Sequence, residues 1–274
     1  MRGTLVRVLA VGLLCGLLSA LCPASPKETP RPRVTLEIRA GSDGYAVGDR
    51  VELSCVVTNR SKDAFWGGSD NPLTPRLAYT LSVFYRRPGG EFVRFLPRWV
   101  DERRGGPCGT SRGLEVLGAG ESAHGVARLF YNTSRQELVL DESGVYEFKA
   151  EMPLFVDRHT TITLTSNVVR IEVKPATGPA KDAVEALRHD PELAGLIEGD
   201  WNEDPMIVRF PVTDAAGKTV ESLSDRQAHA LHAFAARFAG TGIAGLARES
   251  LAALVRSAPG DLSPDARKLA DTRE

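Results

Sequence analysis

The residue spacings closest to reaction chemistry in this 274-residue chain lie in two neighbouring glycine-rich motifs. Gly109-Thr-Ser111-Arg-Gly113 fits the Gly-x-Ser-x-Gly pattern of a nucleophile elbow, and Asp157 and His159 follow in the order of a Ser–Asp–His triad. An elbow needs an apolar strand before the serine and a helix after it, because the strained turn between them is what exposes the hydroxyl. Here the polar DERRGGPC precedes and LEVLGAG follows, so Ser111 reads as part of a Gly-rich loop. Gly118-Ala-Gly120-x-x-Ala123 fits the dinucleotide fingerprint, whose glycines let backbone approach a pyrophosphate. Its context is closer to what the chemistry requires. Leu114–Leu117 can form the strand, and Ala123, Val126, Ala127 and Phe130 share a helical face. Asp141, 23 residues after Gly118, stands where a ribose-binding acid would. A nucleotide fold needs further parallel βαβ units, and nothing before Leu114 or after Asp141 alternates that way. The same letters also spell a turn followed by an alternating strand from His124 to Tyr131. A hydrolase or dinucleotide-dependent oxidoreductase built around Gly109–Gly113 or Gly118–Ala123 therefore stands as the alternative reading.

Other clusters are less complete. His229 and His232 lie one helical turn apart, but a metal site needs three or four converging ligands and His-Glu-x-x-His is absent. Glu198, Asp200, Glu203 and Asp204 crowd around Trp201. A glycosidase pair is defined by a set separation across a bond, which local crowding does not supply. Asn59 and Asn132 open glycosylation sequons. The formal net charge is −1, without the basic excess of a nucleic-acid binder. No catalytic residue, metal ligand or cofactor is expected, and no nucleic-acid partner.

The elements that would position any site fall into segments of distinct texture. Residues 1–24 read as a signal peptide: Arg2 and Arg7, an apolar run from Val8 to Leu21, then small residues, with cleavage after Ala24 or Ala20. The run is short of the roughly 20 residues of a membrane span, so none is expected in the mature chain, which would be secreted or periplasmic. Residues 25–33 are a Pro-rich linker. From 34 to 174 the pattern is short alternating strands with turn residues between them, which predicts an antiparallel β-sandwich. Val51, Leu53, Cys55 and Val57 share one strand face, and Arg87-Pro88-Gly89-Gly90 reads as a hairpin turn. Residues 180–272 read as a small α-helical domain. It holds one helix over 180–198, a short strand at Met206–Phe210, a helical hairpin at 224–257 and a last helix behind Ser263-Pro264. Ser224 with Gln227 three residues on spells a capping box, and Gly240-Thr241-Gly242 turns the hairpin. Cleavage after Ala24 leaves two cysteines, Cys55 and Cys108. They could form a disulfide, or stay as free thiols with Cys55 buried as a small apolar side chain.

Gly48-Asp49-x-Val51-x-Leu53 with Val57 and Asn59, then Gly144-x-Tyr146-x-Phe148-x-Ala150, resembles bacterial extracytoplasmic immunoglobulin-like domains. The order Gly-Glu followed by Gly-x-Tyr also resembles the bacterial proteinase-inhibitor-like sandwich. The helical hairpin resembles one tetratricopeptide unit, with no second copy. The resemblance implies a scaffold: Tyr146 as the tyrosine corner, Phe148 in the core beside Cys55 where a second cysteine would stand, and Trp66 as core tryptophan. It names no binding residue. The function expected is an exported, non-catalytic protein that binds a protein or envelope component. The inhibitor subtype would use a loop at Arg98–Gly113.

Overall fold

The alternation of Val51, Leu53, Cys55 and Val57 is realised as the inward stripe of one strand. All four side chains are at most 1% exposed in the computed structural model of the chain. The structure describes residues 33–66, 81–96, 116–155, 160–198, 211–213, 219–257 and 262–270. Strands β1 (Val34–Ala40), β2 (Tyr45–Ala46), β3 (Val51–Asn59) and β4 (Phe65–Trp66) are followed by the hairpin β5 (Ser82–Arg86) and β6 (Phe92–Arg94). Next come β7 (Val116–Leu117), β8 (Ser122–Leu129), β9 (Tyr131–Asn132) and β10 (Glu137–Leu138). The long strand β11 (Gly144–Phe155), β12 (Thr161–Thr165) and β13 (Val169–Lys174) complete the β-rich half.

One antiparallel sheet has the order β1-β3-β8. A larger sheet is organised on β11, whose Tyr146, Phe148, Ala150, Met152 and Leu154 point inward while Glu147, Lys149 and Glu151 point out. The inward side chains of both sheets belong to one hydrophobic core, with Ile38, Tyr85 and Leu129 fully buried in it. Pairing is antiparallel with one departure from the all-antiparallel expectation: β2 runs parallel to β13, with Val173 opposite Tyr45.

β11 changes partners along one edge, from β13 at Gly144–Phe148 to β12 at Glu151–Phe155. Ser166 bridges the change. Its amide donates to the Ala150 carbonyl at 2.9 Å, and its hydroxyl accepts from the Ala150 amide at 2.8 Å. Asn167 then turns to the other sheet. Its Oδ1 accepts from the Ile38 amide at 2.9 Å and its Nδ2 donates to the Ile38 carbonyl at 3.0 Å. One carboxamide thereby satisfies both backbone groups of a β1 residue and ties the sheets together.

The helical region differs from the expectation at its start. In place of one helix there are two, α1 (Gly178–His189) and α2 (Pro191–Glu198). Pro191 has no amide to continue α1 and restricts the residue before it, so the chain breaks at Asp190. Asp190 then caps α2 by accepting from the Leu193 amide at 3.0 Å. A strand β14 (Pro211–Thr213) pairs with β15 (Thr219–Ser222), and the expected strand at Met206–Phe210 lies outside the described residues. α3 (Leu223–Arg237) begins one residue before the expected cap, so Ser224 lies in its first turn. α3 packs on α4 (Gly242–Ser257) across Ala228, Ala235, Ala244 and Ala247, all buried. Thr241 caps α4, accepting from the Ala244 amide at 3.1 Å. α5 (Pro264–Lys268) is capped by the Ser263 hydroxyl. No helix among the described residues is long and apolar enough to cross a membrane.

Strands and helices share one compact unit from Arg33 to Glu274. One joint between them is the β2–β3 turn. Gly48, at φ +86°, lies where a Cβ would stand 2.4 Å from Val184 Cγ2 and 2.9 Å from Ile243 Cδ1. Only glycine lets this turn press into the helices. Polar links surround it: Arg50 to Glu249 at 3.0 Å, Arg188 Nε to Asp141 Oδ1 at 2.9 Å, and the Tyr131 amide to Glu198 Oε2 at 2.8 Å.

Candidate functional site

Among the described residues, those singled out for chemistry are not brought together. Gly109–Gly113, Asp157, His159, Cys108 and the loop Arg98–Gly113 lie outside the described residues, as do Asp200, Trp201, Glu203 and Asp204. Gly118–Ala123 is a turn leading into β8, which pairs antiparallel with β3 and places Ala127 and Leu129 in the core. The fingerprint requires a helix there. A strand forms instead because alternation buries one face against β3. The Gly118 amide, which a phosphate would need, donates to Glu121 Oε2 at 2.7 Å. Asp141 is engaged by Arg188 and lies 3.7 Å from Arg87.

His229 is exposed and His232 half-buried, and no group of three metal-ligating side chains occurs among the described residues. Both sequon asparagines are fully buried. Asn59 Nδ2 donates to the carbonyls of Asp63, Leu117 and Gly118, and Asn132 Nδ2 to Arg94 O and Tyr85 Oη. They are fold determinants, closed to glycosylation.

The scaffold residues are placed as follows. Tyr146 is fully buried and its hydroxyl accepts from the Glu142 amide at 3.1 Å, four residues upstream. Burial raises its pKa, against which the Glu142 amide acts. Phe148 and Cys55 are fully buried in the common core. Cys55 is a free thiol donating to the Leu53 carbonyl at 3.5 Å, and Cys108, its alternative disulfide partner, lies outside the described residues. Burial pushes its pKa up to about 11. The strand face of Cys55 is closed to partners from outside the core. Trp66 sits in the two-residue β4, its backbone opposite Phe155 and Val116.

Sequence reasoning missed a groove in the helical layer. It encloses about 890 Å³ between α1, α2 and α3. Its floor is apolar: Ala186 and Leu193 on one side, Phe234 and Phe238 on the other. Its lips are charged, with Asp182, Glu185 and Asp190 on the α1 side and Arg237 on α3, where the guanidinium lies 4.9 Å over Phe238. A side notch of about 130 Å³ shares Asp190, Leu193 and Ala230 with the groove and adds Glu192, Arg226 and Gln227. An apolar trough with charged lips is suited to holding a ligand. The signal for it in sequence was slight. Ala230 and Ala233 put a second small-residue face on α3, and Pro191 creates the corner.

No protein-family model matches the chain, and no curated protein matches it in sequence. Solved structures resemble parts of it. The CARDB domain of a Pyrococcus furiosus protein, solved in complex with di-metal ions, is 12% identical over 53% of this chain and 96% of that one, with a TM-score of 0.27. The C-terminal domain of wzt is 9% identical over 56% of this chain and 83% of that one, at 0.30. A β-glucosidase from Listeria innocua, in complex with gluconolactone, is 14% identical over 53% of this chain and 16% of that one, at 0.26. Likeness of this degree assigns neither family nor activity.

Proposed function

We propose that this chain is an exported, non-catalytic binding protein of the cell envelope, in which an immunoglobulin-like sandwich carries a helical layer whose groove takes a protein ligand. The groove carries the reading. It is an open apolar trough of about 890 Å³ with charged lips, held on helices that are themselves seated on the β2–β3 turn. The buried Tyr146 corner and the core shared by two sheets support the sandwich. The Arg2, Arg7 and Val8–Leu21 pattern supports export.

The test is site-specific photocrosslinking in the producing cell. A crosslinker at Ala233, exposed in the groove, is compared with one at Val126, 47% exposed on β8. The reading expects a discrete adduct from position 233 in the exported fraction and none from 126. Equal adducts from both positions, or none from 233, would count against it.

A further inference from the structure

We infer that the groove's ligand is a basic amphipathic helix of a partner protein, laid between α1 and α3 with one lysine or arginine side chain entering the notch beside Gln227. This rests on the groove being the ligand surface. The dimensions suit a helix. Arg226 and Phe238 mark the two ends of the α3 wall, which at 1.5 Å per residue is about 18 Å, the length of roughly a dozen helical residues. Ala230 and Ala233 on that wall are exposed and small, so a second helix axis can approach to the 8–10 Å or so of close helix packing.

The charge selects the sign of the partner. Four carboxylates, Asp182, Glu185, Asp190 and Glu192, line groove and notch against two guanidiniums, Arg226 and Arg237. His189 also stands on the lip, its Nδ1 2.8 Å from the Glu185 carbonyl. Glu185 pairs with Arg188 at 3.0 Å, and Asp190 Oδ1 is used to cap α2. Asp182 and Glu192 make no ion pair among the described residues, and neither do Arg226 and Arg237. The α1–α2 lip is therefore a line of carboxylates, open along most of its length.

The notch adds an independent observation. Gln227 lines it, is 5% exposed, and its Oε1 accepts no hydrogen bond. A buried carbonyl acceptor without a donor is rare in folded proteins and calls for a reason. Beside it stand Asp190 and Glu192. The notch thus sets two carboxylates against the one guanidinium of Arg226, and leaves Gln227 Oε1 without a donor. An ammonium or guanidinium on a long stem supplies that donor and balances the second carboxylate, while its methylenes cover Leu193 and Leu196.

The test uses the full chain and three synthetic helices of about a dozen residues with one apolar face, carrying lysine, glutamine or glutamate at the polar positions. Fluorescence anisotropy is expected to show the lysine helix binding about tenfold or more tightly than the glutamate one, with the preference shrinking as salt rises. D182N and E192Q are each expected to weaken the lysine helix, Q227L to weaken it further, and D182E to preserve it. Circular dichroism on each variant separates lost binding from lost fold. Equal binding of the glutamine or glutamate helix overturns the basic partner and leaves the groove reading standing. Failure of all three to bind overturns both. Self-association of the protein that A233W abolishes assigns the groove to a second copy and overturns the partner proposed.

Discussion

Replacing Gly48 by alanine tests the joint between strands and helices with an internal control. Two costs add at this position. The left-handed backbone, φ +86°, costs a residue with a Cβ about 1–2 kcal/mol. The new Cβ also arrives 2.4 Å from Val184 Cγ2 and 2.9 Å from Ile243 Cδ1, both on buried side chains, and overpacking of this kind costs about 1–3 kcal/mol. The expected loss is about 2–5 kcal/mol, a large part of the 5–15 or so that holds a domain. Gly120 isolates the first cost: its φ is +79° and nothing lies within 4 Å of its Cβ position, so G120A is expected to lose only about 1–2 kcal/mol. Urea unfolding followed by circular dichroism gives both values. V184A in the G48A background is expected to recover part of the difference, because it removes the nearer of the two contacting groups. If G48A costs no more than G120A, the helices are not seated on this turn and the account of the joint fails.

Y146F removes the acceptor of the part-buried Glu142 amide and is expected to cost about 0.5–1.5 kcal/mol, lowering the urea midpoint at constant slope. A loss within error would show that the corner hydroxyl is incidental. Cys55 is expected to resist thiol reagents in the native protein and to react only as fast as the chain opens. Its thiol is raised to about 11 by burial, so the stability this burial confers is present below the ordinary thiol value near 9.0 and is lost as pH climbs from there through 11. Labelling faster than unfolding would contradict the buried placement. The exported protein is expected to begin at Ser25, read by intact mass, and an unprocessed Met1 in the envelope fraction would contradict the signal-peptide reading.

What the sequence disclosed follows from periodicity. β1, β3 and β11 bury one face each, so their alternation could be read directly, and the letters around Tyr146 carried the corner with them. The α3–α4 hairpin was legible because Leu231, Phe234 and Phe238 repeat at helical spacing. The β12–β13 switch was not. TLTSNVV has no turn dipeptide, and the break depends on Ser166 and Asn167 finding Ala150 and Ile38, partners distant in sequence. Gly118–Ala123 was ambiguous for a physical reason: Ala123 and Ala127 suit a helix face or a strand face, and only β3 alongside decides. The groove was hidden because it is made by three helices, and because alanines at 230 and 233 carry no hydrophobic signal. Gln227 spells half of a capping box in sequence, a pattern that conceals a buried polar side chain without a partner for its oxygen.

The central claim is that this chain binds its partner through the helical layer. Hydrogen exchange of the full protein, alone and with the partner captured at Ala233, tests it most directly. The account predicts slower exchange confined to α1, α2 and α3, with the amides of β8 and β11 unchanged. Protection appearing on the outer faces of the sheets while the three helices stay as they were would contradict it.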